Sequence, residues 1–292
     1  MTDFTERFFF NHCATTIEIS KHLHSEKSPF QQIDVYETPG VGKLLTLNGK
    51  TMVSDKDEFV YHEVLSHVPY MVSRDAKRVL IIGGGDGGLV REFCRYSQLE
   101  AIDLVEIDQR VIDVSRQYFP ELTISLDDPR VRVLAEDGVA FIKTITKPYD
   151  IIVIDSTDPE DFASGLFTQE FYSSVMKALT PAGIMVAQTE NPFFDQYDVK
   201  SIYKNLKQAF PLVSSFTAPM VIYPGVFWTF AFASKQYRPW ELYTPHIEQF
   251  QKIADQLKWY HTNWHRGAFC LSQFHQKRLG LEDQDCFQWP AL

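Results

Sequence analysis

Short apolar runs alternating with helix-like segments constrain this chain more than any other feature. The runs are RVLIIGG, AIDLVEID, VRVLAEDG, YDIIVIDS and GIMVAQTE. Between them lie segments of helical periodicity, GLVREFCRYS, QRVIDVSRQYF and TQEFYSSVMKAL. Strands that are apolar throughout must be covered on both faces, and helices joining them give a parallel sheet. A helix over Glu58–Met71 is expected to lead into the first of them. The later runs VSSFTAP and VFWTFAFASK read as an antiparallel pair that completes the sheet. Residues 1–60 follow another pattern. TTIEIS, QQIDVYET and KLLTLNGKTMVS are short β-rich runs, and Asn48-Gly49 is a strong hairpin signal. The chain is therefore expected to place a small antiparallel β domain, residues 1–60, before an α/β domain, residues 61–292.

The first run ends in GGGDGG, which matches G-x-G-x-x-G through Gly83, Gly85 and Gly88. Glu106 closes the second run, where an acid meets ribose hydroxyls in nucleotide-binding folds. Asp86 does not fit a dinucleotide. It puts a carboxylate where a pyrophosphate would lie. EDG ends the third run at Asp137-Gly138, a place suited to reading an adenine amine. LTPAGIMVAQ has the L-x-P-x-G entry seen in S-adenosylmethionine enzymes. A cationic sulfonium nucleoside suits an acidic loop, and NAD does not.

Composition agrees with a cationic ligand. The net charge of the 292 residues is −10, which argues against nucleic acid as a partner. Cys13, Cys94, Cys270 and Cys286 form no CxxC pair, and the nine histidines include no HExxH. Neither a metal nor a disulfide framework is expected. No apolar run has the length of a membrane span, and the N-terminus MTDFTERFFFNHC lacks a signal-peptide core. A cytoplasmic protein without membrane partners is expected.

Together, PFQQIDVYE, DEFVYHE, VLIIGGGDGG, VEID, EDG, IDSTDP, LFTQEFY, AQTENPFF and VIYP resemble the polyamine aminopropyltransferases, the spermidine synthase family. The C-terminal WHRGAFCLSQF resembles that family's tail. The resemblance implies a Rossmann-like, S-adenosylmethionine-dependent methyltransferase-like domain behind a small β domain. It implies aminopropyl transfer from decarboxylated S-adenosylmethionine to a diamine, most simply putrescine, giving spermidine and 5'-methylthioadenosine. The donor is a co-substrate, and no prosthetic group is implied. Family members form dimers or tetramers, and a homodimer is the first expectation here. By the same resemblance Asp155 is the proton acceptor and Tyr61 positions the amine. Gln31, Glu106, Asp137 and Gly138 hold the nucleoside, while His62 and Asp86 face the aminopropyl side. Asp158, Gln188 and Tyr223 hold the acceptor amine. Asp86 would attract the donor's free ammonium and repel the carboxylate of ordinary S-adenosylmethionine.

The departures cluster at the acceptor. DPEDF carries Asp161-Phe162 where most relatives have Gly-Pro, and VIYPGV replaces P-T-Y-P-S-G. His261 stands for the tail asparagine, and Leu271-Ser272 for Leu-Pro. Agmatine or another amine thus remains open as acceptor. Two rival classes are an ordinary S-adenosylmethionine methyltransferase and a non-catalytic binder of polyamines or nucleosides. Asp86 with the Asp155/Asp158 pair argues against the first, and Tyr61 with Asp155 against the second.

Overall fold

A computed structural model describes residues 2–159, 161–194 and 198–282. The side chains of Asp161 and Phe162, singled out above, and Cys286 lie outside what is described. The N-terminal part holds two antiparallel sheets. β1 (Thr2–Phe8) pairs with β2 (Cys13–Ile19). β3 (Lys21–Lys27), β4 (Gln32–Thr38), β5 (Gly42–Leu47) and β6 (Lys50–Ser54) form a meander in that order. Asn48 and Gly49 both have positive φ, 49° and 73°, the two-residue turn that matches strand twist between β5 and β6.

The second part is a seven-stranded sheet. Its strands are β7 (Arg78–Gly83), β8 (Ala101–Glu106), β9 (Val131–Ala135), β10 (Tyr149–Asp155), β11 (Leu179–Gln188), β12 (Leu212–Pro219) and β13 (Phe227–Ser234). The order is β12-β13-β11-β10-β7-β8-β9. β9, β8, β7, β10 and β11 run parallel, and β13 pairs antiparallel with both β11 and β12. This is the Rossmann-like arrangement expected, with a small antiparallel β region ahead of it.

Side-chain alternation explains the layers. Val79, Ile81, Ile151 and Val153 join Val64, Leu65 and Val68 of the helix Glu58–Val72 in one core. Leu80, Ile82, Ile152 and Ile154 join Phe171, Tyr172 and Val175 of the helix Gln169–Ala178 on the other face. Burying each such side chain stabilises the fold by about 1.5–3 kcal/mol. Of the C-terminal helices, Thr244–Ile253 and Thr262–Ala268 pack on the first face through Phe250 and Ala268, and Gln273–Leu279 packs on the second through Leu279. The segment before Thr262–Ala268 is tied to the helix Glu58–Val72 by Glu63. That buried carboxylate accepts from the backbone N–H groups of Lys258, Trp259 and Tyr260 at 2.8, 2.9 and 2.7 Å. Among the described residues, no helix is long and apolar enough to cross a membrane.

Candidate active site

β7 and β10 are neighbours at the point where the connections switch direction across the sheet, so a crevice opens at their carboxyl ends. Gly83 and Asp155 are register partners there. A Cβ on Gly83, whose φ is 84°, would lie 1.8 Å from the Asp155 carbonyl oxygen. Only glycine lets the two strand ends approach so closely. Gly84 N–H then donates to that carbonyl at 3.2 Å. A Cβ on Gly88 would lie 2.3 Å from the His62 ring, so this glycine lets the helix Glu58–Val72 rest its imidazole on the loop.

That helix delivers consecutive residues to different partners. Tyr61 donates its hydroxyl to Asp155 Oδ1 at 2.6 Å. The other oxygen, Oδ2, is buried and meets no donor among the described residues. Desolvation between the cleft walls, together with the nearby Asp86 charge, raises the Asp155 carboxyl to about 7, although Tyr61 and His62 pull the other way. Burial and the Asp155 charge push the Tyr61 phenol well above its usual value, so it stays a donor.

His62 places Nε2 3.0 Å from Asp86 Oδ1 and Nδ1 2.7 Å from Glu58 Oε2. Burial alone would lower its pKa, but the two carboxylates outweigh burial and raise it to about 10. His62 is therefore an imidazolium. Arg91 forks onto Glu58 at 3.2 and 2.8 Å. Burial works against the Glu58 charge, yet His62 and Arg91 together hold it down to about 2. Asp86 also accepts from Gly88 N–H at 2.7 Å. Asp86 and His62, expected separately on one side of the site, are thus a pair.

At the β8 end, Glu106 Oε1 accepts from Asp108 N–H at 2.9 Å, and burial raises its carboxyl to about 7. Gln31 donates to Asp108 Oδ2 at 3.1 Å, beside the Ser28 hydroxyl at 2.6 Å. Asp137 caps the short helix Gly138–Phe141 by accepting from Val139 N–H at 2.7 Å. Gly138 is buried against Ile82, where a Cβ would come within 2.3 Å of a methyl.

On the opposite side, Gln188 donates to Ser156 O at 3.1 Å and accepts from Trp228 Nε1 and Glu190 N–H, each at 3.2 Å. Tyr223 donates to Met52 O at 2.9 Å, and its ring meets Tyr61 and Trp228 edge-on. Asp158 Oδ2 lies 3.3 Å from Lys50 Nζ. Every residue expected at the site from sequence lines one cleft, whose empty volume is about 1580 Å³ with its mouth.

Sequence reasoning missed Glu6, Lys50, Glu58, Glu190 and Trp228, which line the same cleft. Lys50 stands inside LNGK, which reads as turn chemistry alone, and Glu58 inside the DEFVYHE motif. Glu190 holds a φ of 80°, a left-handed backbone that a glutamate adopts only under constraint, and nothing in its sequence signals this.

Comparison with known proteins gives the family. The spermine/spermidine synthase domain matches residues 58–242, and the spermidine synthase tetramerisation domain matches residues 4–55. A polyamine aminopropyltransferase of Alkaliphilus metalliredigens is 44% identical over 270 residues, covering 92% of this chain and 94% of its own. One from Clostridioides difficile is 44% identical over 91% of this chain and 95% of its own. Two solved structures are also similar, each 35% identical over 96% of this chain and 95% of theirs. A spermidine synthase in complex with the transition-state analogue AdoDATO superposes with a TM-score of 0.91, and the spermidine synthase from Thermotoga maritima with 0.90. Family models, sequence and fold agree, and the chain belongs to the spermine/spermidine synthase family.

Proposed function

We propose that this enzyme moves the aminopropyl group of decarboxylated S-adenosylmethionine onto a diamine, putrescine first, giving spermidine and 5'-methylthioadenosine. The observation that carries the reading is the Asp155 carboxylate, held through one oxygen by Tyr61 while the other meets no donor among the described residues. An amine with a pKa near ~10 is protonated at neutral pH and has no lone pair. Asp155, raised to about 7, accepts a proton far better than a carboxylate near its usual 3.8. The freed nitrogen forms a bond to the propyl carbon next to sulfur. The carbon–sulfur pair leaves with sulfur, and the sulfonium becomes a neutral thioether. The new secondary nitrogen takes over the positive charge that sulfur loses and leaves as a protonated amine, while the single proton released, held on Asp155, passes to bulk water before the next turnover.

Gln31, Glu106, Asp137 and Gly138 would hold the nucleoside. Asp86 would meet the donor's ammonium, with His62 fixing its direction and limiting its charge. Asp158, Gln188 and Tyr223 would line the acceptor's path. Their common cleft supports this division.

Incubation with the decarboxylated donor and putrescine, agmatine, cadaverine or spermidine, with products identified by mass, tests the reading. Spermidine from putrescine is the expected product. In calorimetry the decarboxylated donor should bind much more tightly than S-adenosylmethionine, and Asp86→Asn should narrow that gap. No aminopropylated product with any amine, or equal binding of both donors, overturns the proposal.

A further inference from the structure

The acceptor end of the cleft already contains an alkylammonium. Lys50 begins β6, directly after the Asn48-Gly49 turn, and its side chain lines the cleft. Its Nζ stands 3.3 Å from Asp158 Oδ2, with both side chains about one-fifth exposed. A second carboxylate is close. Glu6, from β1, is buried and accepts from the N–H of Thr51, the next residue along, at 2.9 Å. Burial raises the Glu6 carboxyl, and the Lys50 and Asp158 charges act on it in opposite directions, so all three lie within electrostatic range.

A lysine side chain is a tethered butylammonium. It has the length and charge of the arm that a longer polyamine would extend past Asp158. We propose that Lys50 is a specificity-determining residue, occupying the place of an additional acceptor cation and restricting the site to short diamines. The inference rests on the aminopropyl-transfer reading and adds a rule for which acceptor fits. With Lys50 present, Asp158 is satisfied and Glu6 partly compensated, so a third ammonium arriving there meets a like charge and an occupied volume. Without it, two carboxylates face an open end, and an extra ammonium gains both space and partners.

The test compares kcat/KM for putrescine and spermidine in the native enzyme, Lys50→Met and Lys50→Arg. Lys50→Met should shift the spermidine-to-putrescine ratio upward by about tenfold or more, while Lys50→Arg keeps the native ratio. Lys50→Gln carries the same expectation as Lys50→Met, since a polar end at this edge strand preserves folding. The donor's KM should stay within about twofold in all three. An unchanged ratio in both neutral variants, or an equal loss for both amines, overturns the inference and leaves aminopropyl transfer intact. A native enzyme inactive toward every amine overturns the underlying reading instead.

Discussion

Asp86 and Asp155 are both carboxylates of the cleft, but they have different company. Asp86 faces the His62 imidazolium directly, whereas Asp155 is held by the Tyr61 phenol, and its other oxygen meets no donor among the described residues. Burial and the neighbouring Asp86 charge therefore lift Asp155 to about 7. A group with a raised carboxyl pKa is ionised only above it, so kcat/KM should rise with pH through about 7. The Tyr61 hydrogen bond lowers that pKa, and Tyr61→Phe should accordingly move the rising limb to higher pH. A limb that stays in place in this variant means that Asp155 is not the group titrating. Asp155→Asn keeps the shape and removes the charge. Stabilisation of this kind is worth about 3–4 kcal/mol, so turnover should fall by at least about a hundredfold while donor binding changes less. Near-native turnover would remove Asp155 from the role of base. Tyr61 and Asp155 were legible in sequence because each sits in a motif of fixed local spacing. The pairs His62–Asp86 and Lys50–Asp158 were not, because each joins residues that only the folded sheet brings together.

Glu58 and His62 of the helix Glu58–Val72 are the middle of a chain of alternating charges, Arg91 to Glu58 to His62 to Asp86, with the His62 side chain almost fully buried. Removing one member leaves the others uncompensated, which typically costs about 3–5 kcal/mol. Glu58→Gln should lose stability in that range in urea unfolding near pH 7. Its folded pKa of about 2 lies below the usual 4.5, so the Glu58 contribution is complete above 4.5 and fades as pH falls toward 2. The deficit should therefore shrink near pH 3, and a deficit independent of pH would contradict the ionic account. His62 has the opposite sign. Its contribution is full below 6.5 and is lost as pH rises through about 10. At this scale the five parallel strands and the β12–β13 pair followed from short runs rich in apolar and β-branched residues. β1 and β3 escaped notice. TDFTERF alternates exposed and buried positions, but one of the buried ones is the charged Glu6, and KHLHSEK is a polar edge strand without a buried residue, so neither shows an apolar alternation to recognise.

Two parts of the chain build one cleft. Glu6, Gln31, Lys50, Thr51 and Ser54 reach it from the N-terminal part, and Tyr61, His62, Asp86, Glu106 and Asp155 come from the second part. Residues 4–55 also match a tetramerisation domain. Sedimentation equilibrium should give a mass that is a multiple of the 33.8 kDa chain, and a single-chain mass would refute assembly. No patterning in residues 1–60 distinguishes a surface that faces solvent from one that faces another copy, so sequence alone left dimer and tetramer open. Tyr61, His62 and Glu63 follow one another on a single turn, and each holds a different region: β10, the glycine loop and the C-terminal helices. Successive helical residues point about 100° apart. Replacing one of them loosens one of these regions. Deleting or inserting a residue between Asp57 and Tyr61 rotates all three contacts together, and the carboxylate, the donor loop and the tail lose their fastening in one event. The helix start is thus the segment least able to change length, whatever freedom the acceptor end retains to change its residues.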